Sequence, residues 1–420
     1  MSRQVLRSAG GGRIDRSRPL AFTFDVRRFE GYAGDTLASA LLANGVKLVG
    51  RSFKYHRPRG LMSAGVDEPN ALVEIGAGGR RTTNPRATEI ELTAGLEARS
   101  VNRWPSLAFD VSSVNNLFAR FLAAGFYSKT FMWPSWRLFE GPIRRAAGIG
   151  RPAAEPGPDR YEKRHAHCKV LIVGSGPAGL TAASAAAGSG ARVMLVEKDP
   201  AFGGSLLWRP GEIDGLAGPL WAEKTLAALS RFTDTRLLGR ATAIGYYDHN
   251  LLAVVERPAS GPTRERLWRV RAKRVILAAG ALERPLVFPG NDRPGVMLAS
   301  AAHQFAARWG VRAGRRLVVF TNNDTAYQAA GAARAAGVEV VAVVESRASA
   351  PRDAAQWLGG ADIPVFPASQ VVETRGGHGL KAARVRLADG AARWLACEAL
   401  AMSGGWHPTV HLFSQSGGKL

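Results

Sequence analysis

Three glycines and a glutamate further along form the clearest chemical pattern in this 420-residue chain. Gly174, Gly176 and Gly179 stand in a G-x-G-x-x-G turn, and Glu197 follows 18 positions after the last of them. Such a turn lets backbone approach a pyrophosphate at the start of a helix, and an acid at this distance accepts hydrogen bonds from an adenosine ribose. The spacing therefore predicts a dinucleotide-binding site.

The elements around this turn occur in the order that such a site needs. The apolar run 170–173 predicts a buried strand, an Ala-rich helix follows the turn, and 192–196 predicts a second strand that ends at Glu197. Two later loops resemble those that contact the cofactor in flavoproteins with two dinucleotide-binding domains. The predicted cofactor-binding residues are Gly174, Gly176, Pro177, Ala178, Gly179, Glu197, Lys198, Gly203, Gly204, Ser205, Ala279 and Gly280. NAD and FAD both suit this pattern.

A second strand–helix–strand unit spans about 314–345 and also ends in an acid, Glu345. Its turn reads TNNDTA and places Thr321, Asn323 and Ala326 at the three glycine positions. A backbone that contacts a pyrophosphate needs those side chains to be absent. We therefore expect a structural copy with impaired nucleotide binding.

The N-terminal region predicts a disordered tail over 1–18 and a small β-grasp, ferredoxin-like domain over 19–100. In cluster-bearing ferredoxin-like domains a C-x4-C-x2-C run follows a sequence like HRPRG, and here it falls on Ser63, Glu68 and Ala71. None of these supplies a thiolate, so the sequence predicts no iron–sulfur cluster. The basic residues of 51–59 are expected either to be solvated or to meet a phosphate or an acidic partner.

Residues 101–168 form an aromatic-rich connector and a linker. Ten of the chain's 34 aromatic residues lie between Trp104 and Phe139. Two alternatives suit this arm: a strap that packs on its own chain, or an interface with another subunit. The Pro-rich stretch 151–168 is expected to be a linker, and its His165, His167 and Cys168 lack a fourth ligand, so no metal site is predicted.

Composition narrows the class of protein. The 46% apolar content supports real cores, and the two cysteines, Cys168 and Cys397, exclude a disulfide scaffold. The net charge of +22 comes from basic residues spread along the chain, with no nucleic-acid-binding signature. No nucleic-acid or membrane partner is expected, and the N-terminus predicts a cytoplasmic protein. We find no constellation of catalytic residues.

The predicted architecture is α/β. Two Rossmann-like dinucleotide-binding units, of the disulfide-oxidoreductase type with the second inserted in the first, follow the β-grasp domain. The predicted boundaries are 169–290 for the first unit, 291–400 for the second, degenerate unit, and 401–420 for the start of a return to the first.

The wording of several stretches resembles the N-terminal portion of alpha subunits of heterotetrameric sarcosine oxidases. These are RSFKYHRPRG, FYSKTFMWPSW, GSGPAG, GALERPLVFPGNDRPG, FTNNDTAYQAA and SGGWHPTVHLFSQSGGKL. The resemblance implies NAD at the glycine turn, FAD on a beta subunit, FMN at the interface with that partner, further small subunits, and oxidative demethylation of sarcosine to glycine. It also implies a folate-binding domain that this sequence does not contain.

Two alternatives stay open. One is an FAD-dependent oxidoreductase of the pyridine nucleotide-disulfide oxidoreductase fold, with FAD at the same glycines. The other is a subunit of an opine oxidase or a cyanide-forming dehydrogenase. The absence of the folate-binding domain is compatible with a fragment, a truncated gene product or a split subunit.

Overall fold

A computed structural model of the protein describes residues 4–122, 125, 130–146, 150, 152–360 and 362–420. The chain divides into two compact units, each made of two separate stretches. Unit 1 comprises 1–157 and 283–405, and unit 2 comprises 158–282 and 406–420. The second stretch of unit 1 is therefore inserted into the sequence of unit 2.

The first stretch of unit 1 contains a mixed sheet and one buried helix. Its elements are β1 (Asp15–Phe24), β2 (Arg27–Ala33), α1 (Leu37–Ala43), β3 (Gly50–Arg51), β4 (Pro58–Arg59), β5 (Leu72–Ile75), β6 (Thr82–Arg86) and β7 (Glu97–Ser100). The sheet has the order β2-β1-β7-β5-β6, and β1 and β7 run parallel. A capping box starts α1, because the Thr36 side chain accepts the Ser39 N–H and the Ser39 hydroxyl accepts the Thr36 N–H.

The tail that was predicted to be disordered is ordered from residue 4, so that prediction is wrong there; residues 1–3 lie outside the described part. Leu6 is buried, and β1 already begins at Asp15. The Arg7 guanidinium donates two hydrogen bonds to the Asp35 carboxylate, at 3.1 and 2.6 Å. The glycines at 10–12 suggested disorder. The local sequence did not show that Arg7 pairs with Asp35, because this partner lies 28 positions away.

The loop between β4 and β5 is organised around the buried carboxylate of Glu68, which is 1% exposed. Its Oε2 accepts the N–H groups of Met62 and Ser63, each at 2.7 Å. Its Oε1 accepts the N–H groups of Asn70 at 2.7 Å and Ala71 at 3.0 Å. One side chain therefore satisfies four backbone donors of the same loop.

The connector contacts the basic 51–59 stretch through a buried ion cluster, so this part of the stretch is not a solvated loop. Asp110 Oδ2 lies 2.6 Å from His56 Nδ1 and 3.6 Å from Arg51 Nε. Arg51 and His56 are both buried. These two members of the basic 51–59 stretch therefore serve the fold, which the local sequence did not indicate because Asp110 is remote.

The aromatic arm, which spans 104–139, exposes several of its rings. The exposed fraction is 69% for Phe109, 79% for Phe121 and 84% for Trp133. These three rings are therefore not buried on their own chain, as the strap alternative requires. The arm ends in α2 (Trp136–Ala146), while Phe126 and Tyr127 lie outside the described residues.

Unit 2 is built on a six-stranded sheet. Its elements are β8 (Arg160–Val173), α3 (Pro177–Gly188), β9 (Val193–Val196), β10 (Glu212–Ile213), β11 (Leu216–Ala217), α4 (Gly218–Leu229), β12 (Thr235–Leu238), β13 (Ala241–Tyr247), β14 (Leu251–Glu256), β15 (Thr263–Leu277) and β16 (Ala281–Glu283). The order is β12-β9-β8-β15-β14-β13, and the first four of these strands are parallel.

Residues 160–168, predicted as the end of the linker, are instead the first part of β8. They pair with β15 from Arg160 opposite Thr263 onward. Their polar sequence resembles a linker because much of this part of β8 is exposed. The strand was missed because its partner lies about 100 residues away.

The inserted stretch repeats the nucleotide-binding design inside unit 1. Its elements are β17 (Val296–Leu298), α5 (Ala299–Trp309), β18 (Arg316–Thr321), α6 (Thr325–Ala335), β19 (Glu339–Glu345), α7 (Ala354–Trp357), β20 (Val365–Phe366), β21 (Gln370–Gly376), β22 (Leu380–Arg386), β23 (Ala392–Ala396) and β24 (Ala399–Ser403). A parallel sheet has the order β17-β24-β18-β19-β20, and β21 to β23 form a separate antiparallel sheet.

The chain then returns to unit 2 with β25 (Trp406–Pro408) and α8 (His411–Gln415). β25 pairs with β16, and Leu412 of α8 packs on the core of the unit 2 sheet. The predicted α/β class, with a β-grasp domain before two Rossmann-like units, is confirmed. Among the described residues, no helix combines the length and apolar character that a bilayer span requires.

The Glu68 loop gives a stability prediction. Glu68→Gln replaces one carboxylate oxygen by an amide NH₂, which faces two backbone donors and leaves them without an acceptor. We expect the free energy of unfolding to fall by about 2 to 5 kcal/mol. Denaturant unfolding measures this, with the exposed Glu97→Gln as the matched control, which should change it by less than about 0.5 kcal/mol. Equal stability of the two variants would contradict this role of Glu68.

Candidate dinucleotide-binding site

The glycine turn joins β8 to α3 at the carboxyl end of the parallel strands, where α/β sheets bind ligands. Gly174 has a φ of +101°, and a Cβ there would lie 2.3 Å from the Ala278 carbonyl oxygen. A Cβ on Gly179 would lie 1.9 Å from the Gly174 carbonyl oxygen. Backbone packs against backbone at both positions, so neither tolerates a side chain.

Gly176 has a different environment. A Cβ there would meet no atom within 4 Å, so the glycine faces open space. Gly176 is also the N-cap of α3, and no side chain caps this helix; Pro177 follows at its start and Ala178 is exposed. The first N–H groups of a helix attract anions, and here a phosphate has room to reach them.

The glutamate at the end of β9 is fixed against the turn. Glu197 Oε2 accepts the N–H of Ser175 at 2.9 Å and its hydroxyl at 2.6 Å. Oε1 accepts the Asp199 N–H at 2.9 Å. A carboxylate has about four acceptor positions, so capacity remains for a ribose hydroxyl. The acid is thus pre-positioned beside the turn.

The Gly203–Gly204 loop contacts the same turn. The Gly203 N–H donates to Ser175 Oγ at 3.0 Å. A Cβ on Gly204 would lie 3.0 Å from the Cα of Gly176, and Ser205 follows in a short 3-10 turn over 204–207. The turn, Glu197 and this loop, predicted separately, therefore come together.

The other predicted residues lie at the rim. Ala279 and Gly280 are exposed and follow β15, whose Leu277 lies opposite Val173. Lys198 is exposed next to Glu197. These three positions border the site.

Ser175 was missed by the sequence analysis. It is fully buried and links Glu197 to the Gly203 loop through its hydroxyl. The signal lay at the first x position of the G-x-G-x-x-G turn, the one position of the turn that the prediction left out. Also missed was a contact of Arg209 with two indoles: its Cζ lies 4.9 Å from the ring centroid of Trp208 and 4.6 Å from that of Trp406.

The corresponding turn of the inserted unit is filled by its own side chains. Asn323 Oδ1 accepts the Thr325 N–H at 3.2 Å and its hydroxyl at 2.6 Å, at the start of α6. The Asn323 amide donates to Ser403 Oγ at 2.8 Å. A side-chain oxygen thus takes the place near the helix start that a phosphate oxygen would need.

Glu345, the acid of the inserted unit, is also bound by side chains of that unit. Glu345 is fully buried; its carboxylate accepts the Tyr327 hydroxyl at 3.1 Å and the Arg347 guanidinium at 2.8 Å. Burial, reinforced by this carboxylate, raises the pKa of Tyr327. Arg347 also pairs with Asp324 at 2.7 Å, just before α6. The ribose position of this unit is therefore closed by an ion cluster.

The two thiols of the chain are poor redox groups. Cys168 lies in unit 2 and Cys397 in unit 1, and both are buried. Burial raises the pKa of Cys168 to about 11 and that of Cys397 to about 12. Both stay protonated near neutral pH, whereas thiol chemistry requires the thiolate.

The family follows from comparison with known proteins. Residues 168–420 match the family model of the pyridine nucleotide-disulphide oxidoreductases. The chain belongs to this family. A solved oxidoreductase, the L-proline dehydrogenase from P. horikoshii, has the same fold with a TM-score of 0.63 and 20% identity, over 97% of this chain and 64% of the other.

Sarcosine oxidase alpha subunits are among the relatives that resemble the chain along most of its length. The alpha subunit from Rhizobium meliloti (strain 1021) is 51% identical over 97% of this chain, and that from Corynebacterium sp. (strain P-1) is 38% identical over 97%. The predicted resemblance is confirmed. The chain spans 42% and 39% of the lengths of these two relatives.

The prediction of no iron–sulfur cluster is contradicted by the comparison of the N-terminal domain. Residues 17–103 match the family model described as a 2Fe-2S iron-sulfur cluster binding domain. The ligand positions do not fit the usual set of four thiolates, because Cys168 and Cys397 both lie outside 17–103. Glu68 occupies one of those positions, with its carboxylate committed to the loop backbone. We therefore assign no electron-transfer step to this domain.

The close packing at the turn predicts opposite effects of two glycine-to-alanine changes in α3. Gly179→Ala places a methyl group against the Gly174 carbonyl and should cost about 3 kcal/mol or more of unfolding free energy. Gly188→Ala, where a Cβ meets no atom within 4 Å, should be neutral or stabilising by up to about 1 kcal/mol. Thermal and denaturant unfolding compare the two. A tolerated Gly179→Ala would show that this contact is not made.

Proposed function

We propose that this chain is the dinucleotide-binding portion of the alpha subunit of a sarcosine oxidase-type complex, and that its glycine turn binds NAD. The main support is the geometry of the first turn. The helix N-terminus at Gly176 is open, and Ser175 fixes the Glu197 carboxylate beside it. The 51% identity to a sarcosine oxidase alpha subunit over 97% of the chain supports the choice of complex.

The residues of this chain would bind and orient, and the chemistry would take place at flavins on or shared with a beta subunit. When bound, the flavin would supply the hydride-accepting chemistry for the demethylation of sarcosine to glycine. The α3 N-terminus would hold the pyrophosphate, and Glu197 would accept the ribose hydroxyls. Gly203, Gly204 and Ser205 would cover the phosphates. Lys198, Ala279 and Gly280 would border the cofactor.

The inserted unit, by this proposal, serves as scaffold rather than as a second nucleotide site. Asn323 takes the phosphate position and Arg347 closes the ribose position. FMN, in this proposal, lies at the interface with the beta subunit. The exposed arm, with Phe109, Phe121 and Trp133, would contact a partner subunit, which is consistent with so much uncovered aromatic surface.

Gly176→Val tests the nucleotide assignment. The valine side chain would fill the open space where the pyrophosphate approaches, whereas the fold has room for it. We expect the purified variant to lose its NAD while keeping its unfolding midpoint within a few degrees. Released nucleotides are identified by mass spectrometry after co-expression with the partner subunits.

The matched control is Asn322→Val, an exposed position in the turn of the inserted unit. It should leave the NAD content unchanged. Unchanged NAD in Gly176→Val would overturn the site, and FAD released from this chain alone would favour the flavin-binding alternative at the same glycines.

A further inference from the structure

The position of the second half of the dinucleotide follows from the strand order of unit 2. The carboxyl ends of β9, β8 and β15 lie side by side in that order. Glu197 follows β9, the glycine turn follows β8, and Gly280 lies beyond β15. A dinucleotide with its ribose at Glu197 and its pyrophosphate at the turn therefore extends its second nucleoside toward the end of β15. This step rests on the proposed function.

Two indole rings lie at that end of the site. Trp406 belongs to β25, which pairs with β16, and the Thr409 N–H donates to the Gly280 carbonyl at 2.9 Å. Trp208 directly follows the 3-10 turn that starts at Gly204, whose backbone contacts Gly176. Trp406 thus comes from a strand bonded next to the segment that follows β15, and Trp208 comes from the loop that contacts the glycine turn.

Both rings contact one planar cation. The Arg209 guanidinium lies over each of them, with its Cζ 4.9 Å and 4.6 Å from the centroids of Trp208 and Trp406. A cation over an indole face is attracted by the negative potential of the ring, and guanidinium suits this because it is flat and weakly hydrated. The pair of indoles is therefore arranged to accept a flat, positively charged group.

The dinucleotides that suit the glycine turn differ in this property. The nicotinamide ring of NAD⁺ is a flat N-alkylpyridinium cation, the reduced ring of NADH is neutral, and the ring system of FAD is also neutral. We propose that Trp208 and Trp406 bind the nicotinamide ring of NAD⁺ in exchange with the guanidinium of Arg209. The two indoles are thus specificity-determining residues that select oxidised NAD over NADH.

The test compares three ligands that share the ADP-ribose half: NAD⁺, NADH and ADP-ribose. Trp406→Leu should weaken NAD⁺ binding about five- to thirtyfold and change ADP-ribose binding by less than about twofold. NADH should be affected much less than NAD⁺. Trp208→Leu should act in the same direction and serves as the second variant if Trp406→Leu does not fold. Dissociation constants come from titration calorimetry on the full chain in its complex, after the co-purified nucleotide has been removed.

The matched control is Trp394→Leu in the inserted stretch, where Arg375 Cζ lies 4.4 Å from the indole centroid. This variant loses a similar arginine–indole contact in unit 1, and should bind all three ligands as the wild type does. Equal losses for NAD⁺ and ADP-ribose in Trp406→Leu, or no loss for NAD⁺, would overturn the proposal. If the wild type binds neither NAD⁺ nor ADP-ribose, the proposed function itself fails, whatever the variants do.

Discussion

The candidate nucleotide site depends on one close contact between backbone groups. α3 approaches β8 so tightly at Gly179 that a single methyl group would collide with the Gly174 carbonyl, while Gly174 is itself pressed against Ala278 after β15. This packing fixes the direction of α3, and with it the position of its N-terminus. The positive end of the helix dipole then lies at the carboxyl end of the sheet, where Glu197 and the Gly203 loop are held by Ser175. The site is thus a consequence of helix–strand packing, and it is pre-formed.

The two nucleotide-like units differ at the start of the helix that follows the turn. In the first unit the N-cap is a glycine, and the helix end faces open space. In the inserted unit Asn323 supplies the oxygen at the helix start, and Glu345 is neutralised by Arg347. Asn323 thus satisfies a backbone donor at the start of α6, whereas no side chain caps α3 and its first N–H groups stay accessible to a ligand. By the proposed function, the same fold would serve binding in one unit and support in the other.

Sequence patterns predicted the features that depend on local order. The turn, the strand that ends in Glu197 and the impaired second turn all follow from residues that are close in sequence, and the α/β class follows with them. Long-range pairing was not predictable in this way. The polar first half of β8 looks like a linker until β15 is placed beside it, and Arg7 looks disordered until Asp35 is brought to it. Ser175 and the indoles around Arg209 were missed for the same reason, since each connects loops that are separated in the chain.

The first site and the family match together support a chain that binds a dinucleotide, while its exposed aromatic arm suggests a partner subunit. The most direct measurement of the central claim is the stoichiometry of NAD⁺ binding to the chain in its complex, by titration calorimetry after the co-purified nucleotide has been removed. We expect one NAD⁺ per chain, because of the two nucleotide-like turns in the described residues the first has an open helix N-terminus at Gly176 and the second is occupied by Asn323. Two NAD⁺ per chain, or none, would contradict it.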